Sequence, residues 1–284
     1  MNIEHTLRCP LCHAPLKKDS ASLYCGGERR HCYDLSSSGY VNLLPPGKKS
    51  NAKTGDDKEM LKSRRLFLTS GHYDKISEKA ALEALAFLHG KSNIVFTDAG
   101  SGDGYHALNI LRTFTERGFD CMGVGLEASK NGAQMAAKLA KRENAHLFSA
   151  AANIFDMPLA DKSCDAVFSM FAPVPDGEAH RVLKDDGVLV VCSSGTCHLL
   201  EMRQVLYGEP RLSPPLDRTP DGFIRVSHSS LSYRFTLNSK ELIEALFTMT
   251  PFYWRSPMEG RKKLLSLDTL TMRAETEYNV YKKT

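Results

Sequence analysis

The sequence has no stretch of the roughly 20 consecutive apolar residues that a membrane-spanning helix requires. Its first residues, MNIEHT, also lack the apolar region of a signal peptide. These absences argue against a membrane partner and lead us to expect a location in the bacterial-type cytoplasm. Because that compartment is reducing, the eight cysteines are not expected to form a disulfide framework.

The basic excess of the chain is confined to its N-terminal part. Residues 1–65 hold 12 Lys and Arg against 7 Asp and Glu, a net charge of +5, whereas the remainder carries a net charge of −1. A basic segment on a nearly neutral body indicates a polyanionic partner such as nucleic acid. A solvated surface with no such role is the alternative.

The glycine-rich motif of this chain is not the Gly-x-Gly-x-x-Gly of dinucleotide-binding enzymes. Residues 93–106 read NIVFTDAGSGDGYH: a short apolar strand, Asp98, a glycine-rich turn, and a helix opening near Tyr105. The turn contains Gly100, Gly102 and Gly104. This Asp-x-Gly-x-Gly-x-Gly form is seen in methyltransferases that use S-adenosylmethionine (SAM), whose cofactor carries no phosphate. An ordinary glycine-rich turn is the alternative.

Strands and helices alternate after the turn as far as Cys192, which predicts a parallel sheet with helices on both faces. Residues 231–237 and 271–281 then alternate as strands around a helix at residues 239–248, with Ser239 as its N-cap. We expect these two strands to form an antiparallel edge pair. The predicted fold class is α/β, a Rossmann-like class I SAM methyltransferase with a mostly parallel seven-stranded sheet.

Three residues at strand ends are candidates for ligand binding. Glu127 ends the second strand, where a carboxylate reaches ribose hydroxyls, although a surface glutamate is the alternative. Asn153 follows the third strand and has an amide able to pair with the adenine edge. Phe171 ends the fourth strand in Phe-Ala-Pro, where it either stacks on an acceptor base or plugs the core.

Two motifs of nucleic-acid methyltransferases are absent at this fourth strand. Neither Asn-Pro-Pro-Tyr, used on exocyclic amines, nor a Pro-Cys nucleophile is present. Methyl transfer from a sulfonium depends mainly on alignment, but a protonated ring nitrogen such as guanine N1 must also lose its proton. The candidates for removing it are His72, His198, Asp103 and Glu178. The catalytic residue therefore stays unknown at this stage.

Half of the cysteines lie in the first 32 residues. Cys9 and Cys12 form a C-x2-C knuckle, and Cys25, His31 and Cys32 follow. Two pairs of such ligands suit tetrahedral zinc, which would stabilise a segment too small to fold on its own core. His31 and Cys32 are rivals for the fourth position, and a reduced cysteine pair in a turn is the alternative to a metal site.

Composition suggests a small domain, a linker and a large domain. We place a zinc-binding RNA-recognition domain at residues 1–46, a Pro-, Gly- and Lys-rich linker at 47–60, and the methyltransferase domain at 61–284. Asp56 or Asp57 is the expected cap of the next helix. Arg64 and Arg65 on that helix face either nucleic acid or solvent.

Several segments together resemble the bacterial 23S ribosomal RNA guanine-N1-methyltransferases, some of which confer resistance to macrolide-type antibiotics. They are residues 9–16 (CPLCHAPL), 39–44 (GYVNLL), 55–60 (GDDKEM), 64–68 (RRLFL), 71–73 (GHY) and 249–252 (MTPF). The resemblance implies a zinc domain that helps to hold 23S ribosomal RNA, a SAM-dependent domain behind it, and a homodimer. It implies zinc ligation by Cys9, Cys12, Cys25 and His31. It implies SAM contacts by Tyr73, Gly102, Asp103 and His198.

The function predicted from the sequence is transfer of a methyl group from SAM to N1 of a guanine in a 23S ribosomal RNA hairpin. Two alternatives stay open. One is a small-molecule SAM methyltransferase with zinc in a structural lid. The other is a non-catalytic zinc-ribbon protein that binds RNA.

Overall fold

The computed structural model describes residues 3–45, 58–209, 212 and 218–284. In these residues a small three-stranded antiparallel sheet lies near the N-terminus, and a large sheet of eight strands occupies the rest. A 3₁₀ helix at Ile3–His5 precedes the small sheet. None of the helices in the described ranges is long and apolar enough to cross a membrane.

The strands are β1 (Leu16–Asp19), β2 (Ser22–Cys25), β3 (Cys32–Asp34), β4 (Val41–Asn42), β5 (Asn93–Ala99), β6 (Asp120–Glu127), β7 (Leu147–Ala151), β8 (Cys164–Met170), β9 (Leu183–Ser194), β10 (Phe223–Leu237) and β11 (Leu270–Lys283). The α-helices are α1 (Lys58–Leu68), α2 (Asp74–Leu85), α3 (Tyr105–Glu116), α4 (Lys130–Arg142), α5 (Asp176–Val182), α6 (Leu200–Tyr207), α7 (Lys240–Thr248), α8 (Phe252–Arg255) and α9 (Met258–Leu265).

The large sheet has the strand order β10-β11-β9-β8-β5-β6-β7-β4. Pairing is parallel from β4 through to β9, and β11 runs antiparallel to both of its neighbours. The antiparallel pair expected at the C-terminal end is confirmed, although only β10 is an edge strand, because β11 lies between β9 and β10. Seven of these strands form the expected methyltransferase sheet, and the N-terminal segment adds β4 as an eighth.

The two faces of the sheet pack against different parts of the chain. Ile94 and Phe96 point into one hydrophobic cluster, which α2, α3 and α7 complete. Val124 and Leu126 point into the other, where they meet Leu7 and further apolar residues of the N-terminal module. Side chains of a strand alternate between faces, so one sheet supports both clusters. The N-terminal module (residues 3–45), which contains the expected zinc ligands, therefore packs directly against the large sheet.

The sequence located most element boundaries well. α3 begins at Tyr105, as the turn motif predicts. The Ser239 Oγ accepts a hydrogen bond from the Leu242 N–H (3.2 Å), which confirms the predicted N-cap of α7. The expected caps Asp56 and Asp57 lie outside the described residues, as does most of the expected linker. α1 already begins at Lys58, within the range expected for that linker, and the domain boundaries stay a prediction.

Gly104 lets the glycine-rich turn approach α4. It has a φ of +82°, and a Cβ there would lie 2.7 Å from the Ala136 Cβ. Gly118, at the far end of α3, has a φ of +84° and open space around its Cβ position. The pair therefore separates backbone strain from steric packing.

We expect Gly118→Ala to lower the free energy of unfolding by about 1–2 kcal/mol, the cost of a left-handed non-glycine residue. Gly104→Ala should cost about 1–3 kcal/mol more, because α4 must also move. Urea unfolding of both variants measures the difference. Equal destabilisation of the two variants would mean that Ala136 and α4 can move away from the added methyl group at no cost in free energy.

Candidate active site and metal centre

Four side chains of the N-terminal module converge as a metal site would require. The ligand atoms of Cys9, Cys12, Cys25 and His31 all lie within 4.8 Å of one another. The His31 Nδ1 is 3.4–3.5 Å from each of the three sulfurs, and two of those sulfurs are 3.7 Å apart. Tetrahedral zinc, with its usual bond lengths, separates neighbouring N and S ligands by about 3.5–3.8 Å. The cluster has the size and the donor set for zinc.

The geometry distinguishes the two rivals for the fourth position. Cys32 is solvent-exposed at the start of β3, and its Sγ lies 3.8 Å from Asp34 Oδ1. The neighbouring His31 ring turns inward to the three sulfurs. The geometry therefore favours His31 over Cys32.

Several hydrogen-bond donors support the sulfurs of this cluster. The Tyr33 hydroxyl lies 3.0 Å from Cys9 Sγ, and the His31 N–H donates to Cys25 Sγ at 3.0 Å. Burial opposes ionisation of Cys9, yet the hydrogen bonds, led by that of Tyr33, hold its pKa below the ordinary value. The thiolate is the form of cysteine that binds metal. The hydrogen bond from Tyr33 therefore stabilises the form of Cys9 that a zinc ion would need. Sequence reasoning missed Tyr33, because no spacing rule marks it.

A cavity of about 620 Å³ opens at the carboxyl ends of β5, β6, β8 and β9. Ligands of open α/β sheets bind at this edge. Of the site residues predicted from the sequence, Tyr73, Gly100, Gly102, Glu127 and His198 line it. The cavity size suits a nucleoside-sized cofactor together with part of an acceptor.

Glu127 holds the glycine-rich turn in place at the floor of the cavity. Its Oε2 accepts from the Gly102 N–H (2.9 Å), and its Oε1 accepts from the Ser129 N–H (2.7 Å). Gly102 has a φ of +56°, and a Cβ there would meet nothing within 4 Å. The turn thus presents bare backbone to the cavity, as close approach of a ligand requires.

Asp98 is a buried carboxylate beneath this turn that sequence reasoning read only as the end of a strand. It is 1% exposed, and neither of its oxygens has a hydrogen-bond partner among the described residues. Burial and the charge of Glu127 raise its pKa to about 7. A buried carboxyl group without a partner fits a site that receives a cationic or donor-rich ligand.

Tyr73 and His198 meet at the cavity wall although 125 residues separate them. The Tyr73 hydroxyl lies 3.1 Å from His198 Nε2, and His198 Nδ1 lies 2.9 Å from the Glu275 carbonyl oxygen. Burial lowers the pKa of His198 to about 4, against a smaller opposing effect of the Glu275 backbone. The ring is therefore neutral at pH 7, and it adds no positive charge beside a sulfonium.

Two predicted cofactor residues lie outside the cavity lining. Asp103 is buried in an ion pair with Arg65 (Nε–Oδ2 2.8 Å), and its Oδ1 accepts from the Tyr105 N–H. Asn153 Oδ1 accepts from the Phe155 N–H, which closes a local turn. Their roles toward SAM stay predictions. The ion pair also removes Arg65 from the side chains available to nucleic acid.

The fold places the four candidates for removing the guanine N1 proton in different environments. His198 lines the cavity, whereas Asp103 is paired as above. Glu178 is paired with Arg181 (2.6 Å). His72 packs on Phe235 at 5.1 Å between ring centroids. Apart from His198, the lining of the described cavity contains none of the four.

The lining of the cavity is also rich in aromatic residues. Phe171 is 39% exposed and Trp254 is 64% exposed. Phe252 also contributes, as part of the MTPF segment. Because its ring is partly exposed and lines the cavity, Phe171 is not a core residue. Of its two predicted roles, stacking on an acceptor base is the one that fits this position. His106, which the sequence did not single out, lies 5.9 Å from its ring.

Comparison with known proteins gives two family matches. The family model described as "RlmA, N-terminal", a zinc ribbon, matches residues 7–52, and one described as "Methyltransferase domain" matches residues 90–213. A putative 23S rRNA (guanine-N(1)-)-methyltransferase of Bacillus subtilis strain 168, YxjB, is 33% identical over 258 residues, covering 89% of this chain and 88% of its own length.

Two further relatives carry related names. The 23S rRNA (guanine(748)-N(1))-methyltransferase of Streptomyces fradiae is 34% identical and covers 72% of this chain and 69% of its own length. A putative 23S rRNA (guanine-N(1)-)-methyltransferase of Micromonospora griseorubida is 31% identical and covers 88% and 87%. This chain belongs to the 23S rRNA (guanine-N1-)-methyltransferase family.

Membership of this family confirms the fold class and the two cofactors expected from the sequence. The protein is a SAM-dependent methyltransferase with a zinc ribbon, and the Cys3His cluster supplies suitable metal ligands. The family also favours the main functional prediction over both alternatives, the small-molecule enzyme and the non-catalytic RNA-binding protein.

We expect His31→Ala to lose bound zinc, because it removes one of four ligands, whereas Cys32→Ser should keep one zinc per chain. Metal content measured on the two purified variants distinguishes them. Zinc loss on replacing Cys32 alone would contradict the ligand set proposed here.

We expect Glu127→Ala to weaken SAM binding by about 10–100-fold, because it removes a charged acceptor for the ribose and frees the Gly102 amide. Calorimetry with SAM measures the change. Glu116→Ala, an exposed glutamate at the end of α3, is the matched control and should bind as the unaltered protein does. Unchanged affinity in Glu127→Ala would refute the ribose role.

Proposed function

We propose that this protein transfers the methyl group of SAM to N1 of a guanine in a hairpin of 23S ribosomal RNA. Family membership supports the reaction class. The observation that carries the proposal is one continuous cavity, which is lined both by the glycine turn with Glu127 and by the exposed rings of Phe171 and Trp254. A methyl donor and a nucleobase can therefore meet in a single space.

N1 of guanine lies inside a Watson–Crick pair, so the target base must enter the cavity unpaired. Exposed aromatic side chains hold such bases by stacking, as they do in many RNA-binding proteins. Phe171 follows β8 directly, so a rigid strand positions its ring at the cavity edge. We assign Phe171 to the stacking of the acceptor guanine.

The residues of the chain serve alignment more than acid–base chemistry. SAM supplies an electrophilic methyl group on a sulfonium. Glu127 and the glycine turn hold the nucleoside end, and the aromatic side orients the acceptor nitrogen for in-line attack. The guanine N1 proton leaves to solvent or to His198, which is the candidate from the sequence that lines the cavity.

The zinc module completes the proposal as an RNA-binding surface. We assign Cys9, Cys12, Cys25 and His31 to the zinc ion, which would stabilise the module against the sheet. The basic residues of this part of the chain other than Arg64, which lines the cavity, and Arg65, which pairs with Asp103, would then face the phosphate backbone. We also retain the homodimer and the cytoplasmic location as parts of the proposal.

To test the function, purified protein and SAM are incubated with 23S ribosomal RNA from a strain lacking the gene, and modified positions are mapped by reverse transcription. N1-methylguanine blocks base pairing, so we expect a new stop at one guanine in a hairpin. Mass spectrometry of the digested RNA identifies the methylated nucleoside. Full SAM binding without any stop would contradict ribosomal RNA as the substrate.

Phe171→Ala and Phe155→Ala form a matched pair in the same assay. Phe155 is 60% exposed but lies outside the cavity. Loss of stacking should lower kcat/KM for RNA by about tenfold or more in Phe171→Ala and leave Phe155→Ala unchanged. Equal effects of the two changes would argue against a stacking role for Phe171.

A further inference from the structure

The lining of the cavity carries charged groups of both signs. Among the described residues that line it, Arg64 is the one Lys or Arg and Glu127 is the one carboxylate. Glu127, which is assigned to the ribose, accepts one backbone N–H of the glycine turn, that of Gly102, and the backbone N–H of Ser129 before α4. The cavity lining therefore contains one cationic side chain. It could meet an anionic group on the part of a ligand that extends beyond the nucleoside.

The structure separates Arg64 from its neighbour Arg65, which the sequence leaves equivalent. Arg65 turns toward the glycine loop, where it pairs with the Asp103 carboxylate and donates to the Asp103 carbonyl oxygen (3.0 Å). Arg64 lines the cavity instead. One arginine thus supports the turn, and the other faces the ligand space.

The N-terminus of α3 also favours an anionic ligand in this cavity. Arg64 and His106, the second residue of α3, both line the cavity, and burial, with the charge of Arg64 as a second cause, lowers the pKa of His106 to about 3. The ring of His106 is neutral at pH 7, and its Nδ1 lies 2.8 Å from Ser77 Oγ. The N-terminus of a twelve-residue helix carries partial positive charge, which also favours an anion.

We propose that Arg64 binds the α-carboxylate of the methionine part of SAM. That carboxylate is the one anionic group of SAM, and a buried anion needs a cation or several donors beside it. A guanidinium matches a carboxylate through two parallel N–H···O hydrogen bonds. Glu127 and Arg64 would then hold the two ends of the cofactor, and the sulfonium would lie between them. The inference rests on SAM as cofactor and is independent of the RNA acceptor.

The test compares two ligands that differ only in this group, SAM and decarboxylated SAM, by calorimetry without RNA. The unaltered protein should bind SAM about 10–100-fold more tightly. Arg64→Met should lose a similar factor for SAM and change little for decarboxylated SAM, so that the discrimination collapses. Arg64→Lys should fall in between, because it keeps the charge without the planar fork.

Lys62→Met is the matched control, since Lys62 lies on the same helix, 72% exposed, in an ion pair with Glu59. It should keep both affinities. Equal weakening of both ligands in Arg64→Met would assign Arg64 to support of the wall and overturn the proposal. Full SAM affinity in Arg64→Met would also overturn it, because the guanidinium would then make no contact with the cofactor.

If Arg64→Met does not fold, Arg64→Gln replaces it with the same expectations. The comparison of the two ligands on the unaltered protein stands without any variant. Absence of discrimination there would by itself refute a carboxylate contact. Since no RNA is present, failure here leaves the methylation of ribosomal RNA untouched, and failure of methylation leaves this result untouched.

Discussion

The cavity depends on the interaction between Glu127 and the glycine-rich turn. Gly100 and Ser101 donate their N–H groups to the Leu126 carbonyl oxygen, and Glu127 accepts from Gly102 one residue further on. These bonds hold the turn to the end of β6, while Gly104 allows it to approach α4. The cofactor side of the cavity is therefore rigid before any ligand arrives, which lowers the entropic cost of binding.

The zinc module is part of the same packing. Leu7, Leu16 and Leu43 belong to the cluster that covers one face of the large sheet, and β4 extends that sheet beside β7. A metal ion that orders the N-terminal module would therefore also order the residues that cover this face of the sheet. The cavity lies at the carboxyl ends of strands in the same sheet. Zinc ligation and the SAM site are physically connected, although the ligand cluster contributes no residue to the cavity lining.

Much of the fold could be predicted because its signals are local. The glycine spacing, the alternation of strands and helices and the Ser239 cap each depend on a few consecutive residues. The position of β11 between β9 and β10 could not be predicted in this way, because it depends on pairing between Tyr278 and Cys192, which are 86 residues apart. Nor could the sequence show that residues 41–42 join the large sheet, since two residues carry no usable pattern.

The sequence by itself determined which chemical groups are present and roughly where along the chain. It offered three cysteines for zinc with His31 and Cys32 as rivals for the fourth position, a glycine turn and a carboxylate for SAM, and a basic N-terminal part. Only the tertiary structure separated neighbouring residues by position: His31 and not Cys32 lies in the cluster with the three cysteines, and Arg64 and not Arg65 lines the cavity. The physical reason is side-chain direction, because adjacent residues point to different sides of a strand or helix. Contacts such as that of Tyr73 with His198 arise only when the sheet brings distant segments together.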